Sequence, residues 1–137
     1  MAQVSRSKAS LRFIGDSLVP EEITELLLCK PSAAYAKGDK RKIKATGRTV
    51  TYPRGAWRLQ ATEAEPENLN EQIAEIIGKL NPDLSVWKQL SEKYSVDLFV
   101  GLFMVHSNEG MDVSPKSLQL LGERGIVLSL DIYDGSE

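Results

Sequence analysis

Residues 96–106 read Val-Asp-Leu-Phe-Val-Gly-Leu-Phe-Met-Val-His, and this stretch decides the fold. Eight of its eleven residues are large and apolar, and they occupy both alternating positions of a strand. A strand with one face in water would alternate apolar and polar residues, so the stretch predicts a central strand with most of both faces covered. Its β-branched and aromatic residues favour a strand over a helix. We therefore expect the rest of the chain to flank and cover this strand.

The composition is that of a single globular domain, residues 1–137. The chain is 42% hydrophobic and 26% charged, and its net charge of −2 does not by itself indicate a nucleic acid or a membrane. Cys29 is the single cysteine, which excludes an internal disulfide and favours a reducing compartment. The sequence has neither a signal-peptide pattern nor a run of about 18 apolar residues. We expect a cytoplasmic protein in which residues 1–8 form a flexible N-terminal segment.

Four helices are predicted from their starting residues. Pro20 suits a first helical turn, and the two glutamates that follow it suit the positive end of the helix dipole. Asn68, Asp83 and Ser114 are good N-caps ahead of apolar residues at helical spacing. The inner face of the third helix is expected to include Leu84, and that of the fourth Leu118 and Leu121.

Short apolar or β-branched runs between turn residues predict the strands. They cover residues 11–14, 33–36, 42–45, 49–52, 56–61, 96–106 and 126–133. Thr46-Gly47 is a plausible turn between the third and fourth of these runs. The expected architecture is an α+β fold, an antiparallel or mixed sheet of about five strands with helices packed on it, in the order β-α-β-β-α-α-β-α-β.

Several segments resemble a known family. The longest, residues 11–24, reads Leu-Arg-Phe-Ile-Gly-Asp-Ser-Leu-Val-Pro-Glu-Glu-Ile-Thr. Shorter ones are Lys37-Gly38-Asp39, Trp57-Arg58-Leu59, Gly101-Leu102-Phe103 and Leu128-Ser129-Leu130-Asp131. Together they resemble a group of small bacterial domains classed as domain of unknown function 4279. The resemblance implies a single domain in a bacterial cytoplasm and brings no catalytic residue with it.

The charges are unevenly distributed. Between residues 37 and 58 there are eight cations, Lys37, Lys40, Arg41, Lys42, Lys44, Arg48, Arg54 and Arg58, and only Asp39 opposes them. Residues 63–75 hold five glutamates and no cation. The simplest interpretation is a solvated hairpin whose charges neighbour the acidic connector. An acidic protein partner comes next, because such asymmetry steers association. Nucleic acid is less favoured, although Tyr35, Tyr52 and Trp57 beside the cations could stack on bases.

A second candidate surface comes from the polar positions of the strands. Arg12, Arg58, Ser129 and Asp131 each lie opposite the apolar positions of their strands. If these strands share a sheet, the four side chains can converge on one face, with Phe99, Gly101 and Phe103 between them. Such a face suits a ligand or a peptide. Arg12 and Asp131 are equally well explained as a structural ion pair.

Signatures of catalysis and metal binding are weak. His106 is the only histidine and is expected to be structural, and Cys29 to be a small buried apolar group. The chain has no Gly-x-Ser-x-Gly elbow and no phosphate-binding glycine motif. One histidine and one cysteine do not make a typical zinc site, and the polar loop 107–112 lacks the spacing of an EF-hand.

The sequence leaves three functions open. The first is a non-enzymatic binding module, similar to inhibitors or immunity proteins, that uses the basic hairpin and the polar sheet face. The second is a small-molecule binder or small enzyme with a site around Arg12, Asp131 and His106, and the third is a nucleic-acid-binding module. Homo-oligomerisation through an exposed sheet face or edge is also open, and neither a cofactor nor a membrane is expected. The candidate binding residues are Arg12, Asp16, Lys37, Asp39, Lys40, Arg41, Lys42, Trp57, Arg58 and Asp131.

Overall fold

The computed structural model describes residues 2–135, and within them the chain alternates short strands with four helices. The strands are β1 (Ala2–Gln3), β2 (Arg6–Gly15), β3 (Ala33–Tyr35), β4 (Lys40–Lys42), β5 (Thr49–Thr51), β6 (Gly55–Gln60), β7 (Ser95–Met104), β8 (Glu109–Gly110) and β9 (Val127–Asp134). The helices are α1 (Pro20–Leu27), α2 (Leu69–Gly78), α3 (Leu84–Lys93) and α4 (Pro115–Gly122).

Five strands form the main sheet, in the order β3-β6-β2-β7-β9. β7 pairs antiparallel with β2 and parallel with β9, so the sheet is mixed. β1 pairs with β8 and β4 with β5 in two small separate sheets. The predicted α+β architecture is confirmed, and β7 has a neighbour on each side as expected for an interior strand.

The four helices cover one face of the main sheet, and the other face is left open. α1 packs against β6, α2 against β2, α3 against β7 and α4 against β9. Their apolar side chains and those of the covered sheet face form one core that contains Trp57, Trp87 and Phe13, all fully buried. The result is a two-layer sandwich with one bare side.

Helices cover only one face of β7, and the other face is partly covered by side chains of β2. Val96, Leu98, Val100 and Leu102 are at most 4% exposed, whereas the side chains that alternate with them are half-buried, apart from Gly101. The second face can hold apolar residues because its aromatic rings, Phe99 and Phe103, lie beneath arginines of β2. The strand also ends at Met104, so His106 lies in the loop that follows it.

Helix starts agree with the sequence, but some inward faces do not. Asn68 accepts a hydrogen bond from the backbone N–H of Glu71, and Asp83 and Ser114 cap α3 and α4 in the same way. Leu84 and Leu118, however, are exposed, contrary to expectation. Leu84 is the first residue of α3, and its side chain lies outside the core.

The N-terminal segment is also ordered differently from the expectation. Residues 2–8, predicted to be flexible, contribute β1 and the start of β2, whereas Met1 lies outside the described residues. Val4 and Ser7 are buried. The Ser7 hydroxyl donates to Oε1 of Gln72 at 2.7 Å, and Nε2 of Gln72 donates to the Ser7 carbonyl oxygen at 2.9 Å. This buried polar pair joins the segment to α2. Because the pair is polar, it leaves no apolar periodicity in the sequence.

Candidate functional site

The uncovered side of the main sheet, which we call the open face, gathers most of the charged and aromatic residues that the strands do not bury. Strand residues alternate between the two faces, and the register of the paired strands fixes which side chains are neighbours. The open face comprises Arg6, Lys8, Ser10, Arg12 and Ile14 of β2, Ala56, Arg58 and Gln60 of β6, Asp97, Phe99, Gly101 and Phe103 of β7, and Val127, Ser129, Asp131 and Tyr133 of β9. The predicted convergence of Arg12, Arg58, Ser129 and Asp131 on one face is therefore present.

Arg12 is held by two neighbours on β7. Its Nε donates to Oδ1 of Asp97 at 2.9 Å and its Nη2 donates to Oδ2 at 2.6 Å, a bidentate pair. Its guanidinium carbon also lies 4.3 Å from the centre of the Phe99 ring, within cation–π range. The hydrogen bond to Asp97 raises the pKa of Arg12, and partial burial lowers it by less.

The predicted ion pair between Arg12 and Asp131 is wrong. Asp97 lies directly opposite Arg12 in the register, whereas Asp131 lies opposite Gly101, four residues further along β7. With two strand spacings across the sheet, the Cα atoms of Arg12 and Asp131 are about 16 Å apart. The carboxylate on the adjacent strand therefore takes the pairing.

A second cluster occupies the end of the open face. The guanidinium of Arg6 lies 4.0 Å from the centre of the Phe103 ring and also pairs with Glu63 at 2.7 Å. The other neighbour of Phe103 is Tyr133, whose ring stacks on it at 4.9 Å with an interplanar angle of 3°. The Tyr133 hydroxyl donates to Oδ2 of Asp131 at 2.6 Å, and this hydrogen bond raises the pKa of Tyr133.

Gly101 makes room for this cluster. A Cβ atom at this position would lie 3.2 Å from the edge of the Phe103 ring. The ring therefore leans over the backbone of its own strand, which a larger residue would obstruct. The packing of the Phe103 ring against Gly101 thus explains the glycine in the Gly101-Leu102-Phe103 segment.

Arg58 differs from the other two arginines of the open face. It lies opposite Arg12 in the register, so two like charges are neighbours on adjacent strands. Its Nε atom is buried and has no hydrogen-bond partner among the described residues. Arg58 therefore adds positive charge to this part of the face without the paired carboxylate that Arg12 has.

The basic hairpin, residues 37–54, adjoins this part of the open face. Its strands are β4 and β5; β4 covers residues 40–42 instead of the predicted 42–45, and Lys40, Arg41 and Lys42 are all exposed. The rings of Tyr35 and Tyr52 stack at 3.6 Å and fasten its base to the β3 edge of the sheet.

A shallow cleft of about 200 Å³ connects the hairpin to the open face. It is lined by Tyr52 and Arg54 from the hairpin side and by Ile14 and Arg58 from the open face. The two surfaces proposed separately from the sequence are therefore contiguous.

The remaining candidates at the hairpin base have structural contacts. The Asp39 carboxylate accepts a hydrogen bond from the backbone N–H of Ala36 at 2.8 Å and so closes the turn that leads into β4. Gly38 in that turn has φ of +89°, a conformation that glycine adopts readily. Asp16 and Lys37 form an exposed ion pair at 3.9 Å.

Trp57 is not part of the surface. It is fully buried, its ring meets Phe13 edge-on with centroids 5.6 Å apart, and its Nε1 donates to Oγ1 of Thr24 at 3.0 Å. A binding role for this residue is wrong because no partner can reach it. Trp57 and Leu59 are two residues apart in one strand, so the sequence already predicted that Trp57 lies on the apolar face with Leu59.

Arg12, Asp131 and His106 do not form one site. The first two are bonded to other residues, and His106 is exposed in the loop after β7, where its backbone N–H donates to Oε2 of Glu109. Cys29 is partly buried against the core. General acid–base chemistry needs its groups within about 3 Å of one reacting atom, and these residues are not arranged in that way.

The polar loop 107–112 is organised by Glu109. Burial favours the protonated carboxyl, but hydrogen bonds from the backbone of His106, from the hydroxyl and backbone of Ser5 and from the backbone of Val105 outweigh it and lower the pKa of Glu109. Within residues 2–135 there is no group of three or more side chains that could hold a metal ion.

A cleft of about 820 Å³ was not anticipated from the sequence. It is wide open and lies between the β1–β8 pair and the acidic connector, with Glu65, Glu67, Asn70 and Asp112 among its lining residues. Glu67 already accepts hydrogen bonds from Nε2 of Gln3 and the backbone N–H of Leu69. Oδ1 of Asn70 likewise accepts hydrogen bonds from the backbone N–H of Ser114 and the hydroxyl of Ser117, so two of the polar side chains in the lining are already bonded within the protein.

Comparison with known proteins identifies the family. Residues 5–135 match the model of a family described as domain of unknown function (DUF4279). The chain belongs to this family. The resemblance drawn from the opening segment is thereby confirmed over nearly the whole chain. No curated protein and no solved structure shows significant similarity to it. No helix within residues 2–135 is long and apolar enough to cross a bilayer.

Proposed function

We propose that this protein is a non-enzymatic binding module that docks an acidic protein surface on its open face and basic hairpin. The observation that carries the proposal is the fixed array of cations on a bare sheet. Four cations, Arg6, Lys8, Arg12 and Arg58, lie on the open face. Asp97 and Asp131 lie among them and Glu63 pairs with Arg6 from outside the face, which leaves a sum of +1. The exposed cations of the hairpin adjoin this array.

The arginines are preorganised for a protein partner. Arg6 and Arg12 lie over Phe103 and Phe99, and both also bind a carboxylate, so their side chains have few conformations left to lose on binding. Arginine and tyrosine are enriched among the residues that contribute most to protein–protein affinity. The unpaired lysines around them would attract an acidic partner over longer distances.

Single-stranded nucleic acid is a poorer fit to the same surface. Base stacking needs free ring faces. Phe103 has Arg6 and Tyr133 as ring neighbours, and Tyr35 and Tyr52 stack on one another. Bases would have to displace these contacts before they could stack.

The test compares two charge-reversal variants of the full chain. The first reverses Lys40, Arg41 and Lys42 to glutamate on the hairpin. The second reverses Lys30, Lys88 and Lys116, three exposed lysines outside the hairpin and the open face, and so gives the same change in net charge. Both should fold like the parent, because all six residues are exposed. Proteins captured from the host by the parent are identified, purified and titrated against each variant.

The proposal expects an acidic partner whose affinity for the parent falls as salt is added, as interfacial charge pairs require, and whose affinity for the hairpin variant is about tenfold or more lower at low salt. The Lys30, Lys88 and Lys116 variant should bind like the parent. Equal loss in both variants, or no loss in either, overturns the role of the hairpin. Capture that disappears after nuclease treatment would instead identify nucleic acid as the partner.

A further inference from the structure

β9 ends the main sheet with a long edge that no described residue covers. It pairs with β7 over Val127–Asp134 and has no strand on its other side. The exposed fractions of its apolar residues are high on both faces, at 62% for Val127, 49% for Leu130, 58% for Ile132 and 49% for Tyr133. An unpaired edge of this length offers a row of backbone donors and acceptors to another strand.

β9 lacks most of the usual protections of an edge strand, and its charged residues are two aspartates, Asp131 and Asp134. It contains no proline and no lysine, and its pairing with β7 runs without a bulge. The opposite edge is different, because β3 has only three residues and is followed by the basic hairpin. The two edges of the sheet are therefore not equivalent, and only β9 is suited to accept a strand.

We propose that β9 pairs antiparallel with β9 of a second copy of this chain, about a two-fold axis at Leu130. Two five-stranded sheets then join into one of ten strands. The pairing gives hydrogen-bond partners to the outward backbone groups of residues 127–133 and removes apolar side chains from water in both copies. It stands on observations separate from those behind the proposed function.

Symmetry and sequence together select the register. In an antiparallel pair with two-fold symmetry, one residue must lie opposite its own copy. With Leu130 in that position, Leu128 faces Ile132 of the second copy and Val127 faces Tyr133. Ser129 then faces Asp131, to which its hydroxyl can donate a hydrogen bond. Every apolar residue from 127 to 133 meets an apolar residue, and every polar one meets a polar one.

The neighbouring registers are worse for stated reasons. With Asp131 on the axis, two carboxylates lie directly opposite each other, which destabilises a strand pair. With Ser129 on the axis, Val127 faces the carboxylate of Asp131. The Leu130 register is the one of the three that avoids both conflicts.

The pairing has a geometric consequence for the open face. The two-fold axis is perpendicular to the sheet, so the open faces of both copies lie on the same side of the joined sheet. The cluster of Arg6, Phe103 and Tyr133 is then continued by Val127 of the second copy. The dimer would present one continuous surface about twice as wide, with the helices of both copies behind it.

Sedimentation equilibrium of the full chain tests the dimer. We expect a concentration-dependent dimer whose dissociation constant rises at least tenfold in Leu130→Lys, because two like charges then meet at the axis. Leu84→Lys is the matched control, since Leu84 is a comparably exposed leucine, 43%, on α3, and this variant should dimerise like the parent. A parent that stays monomeric at millimolar concentration, or a Leu130→Lys variant with unchanged dimerisation, overturns the proposal.

Disulfide trapping tests the register without requiring a charged variant to fold. In a Cys29→Ser background, Leu130→Cys should be oxidised by added glutathione disulfide to a covalent dimer: the two protein thiols form one disulfide, and glutathione disulfide takes up their hydrogens and electrons to become two reduced glutathiones. Ile132→Cys, on the same side of the strand, should cross-link much more slowly, because position 132 faces position 128 of the second copy and the two introduced thiols lie four residues apart along the strands. Faster trapping at position 132, 129 or 131 than at 130 refutes this register.

Discussion

At the scale of single residues, the partner of a charged side chain is set by strand register. Arg12 could be placed on the polar side of its strand from sequence alone, and that placement is right. Its counter-ion could not be named, because Asp97 and Asp131 are both polar residues on apolar strands. The register puts Asp97 opposite Arg12, and the bidentate contact follows from that.

Removing the carboxylate of this pair should be costly. Asp97→Asn leaves Arg12 without its charged partner in a site where both side chains are less than one quarter exposed, so we expect a loss of about 1–3 kcal/mol in the free energy of unfolding. Urea denaturation at neutral pH measures it. Asp16→Asn, which breaks the exposed pair with Lys37, is the matched control and should change stability by no more than about 0.5 kcal/mol. Equal effects in the two variants would contradict the structural role of Asp97.

Tyr133 and Asp131 give a prediction about titration. The carboxylate accepts a hydrogen bond from the phenolic hydroxyl, so the pKa of Tyr133 lies above the ordinary 10.0. A raised pKa means that this contact stabilises the fold below the ordinary tyrosine pKa and that its contribution is lost as the pH rises through the folded value. Asp131→Asn should bring the Tyr133 titration back to lower pH. The tyrosinate absorbance of each protein, after subtraction of its Tyr133→Phe counterpart, measures the shift, and an unchanged titration would exclude the hydrogen bond in solution.

At the scale of elements, helix boundaries follow from local capping, but the inward face of α4 does not follow from its leucines. Ser117 is buried and its hydroxyl donates to Oδ1 of Asn70 on α2 at 2.7 Å, whereas Leu118 is exposed. The helix is rotated so that this polar contact faces inward together with Leu121. Apolar periodicity predicts that the leucines point inward, and a buried hydroxyl that finds its partner on another helix is invisible to it.

Two leucines of α4 should therefore differ sharply when shortened. Leu121→Ala should lower the free energy of unfolding by about 2–5 kcal/mol, because it leaves a cavity under a buried helix face. Leu118→Ala, in the same helix and with the same change in side chain, should cost no more than about 0.5 kcal/mol. Thermal and urea unfolding of the two variants give both values, and the reverse order would show that α4 is rotated differently in solution.

At the scale of the whole molecule, function depends on which side of the sheet the helices leave bare. The apolar residues on both faces of β7 predicted that both faces are covered. Helices cover the first face, and on the second face the side chains of Arg6 and Arg12 lie on Phe103 and Phe99. The long stems and flat head groups of arginines can shield aromatic rings while remaining in contact with water. This arrangement converts a hydrophobic strand face into a polar one, and the proposed partner surface depends on it.

The sequence by itself determined the class of fold, the helix starts, most strand positions and the alternation that separates core residues such as Trp57 from surface residues such as Arg12. These features depend on neighbouring residues in the chain, through caps, turns and periodicity, and can be read locally. Only the tertiary structure decided the order of the strands in the sheet, the pairing of Arg12 with Asp97, the inclusion of residues 2–8 in β1 and β2, and which side of the sheet the helices leave uncovered. Each of these depends on contacts between residues far apart in the chain, because hydrogen-bond register and the packing of helices are settled when distant segments meet.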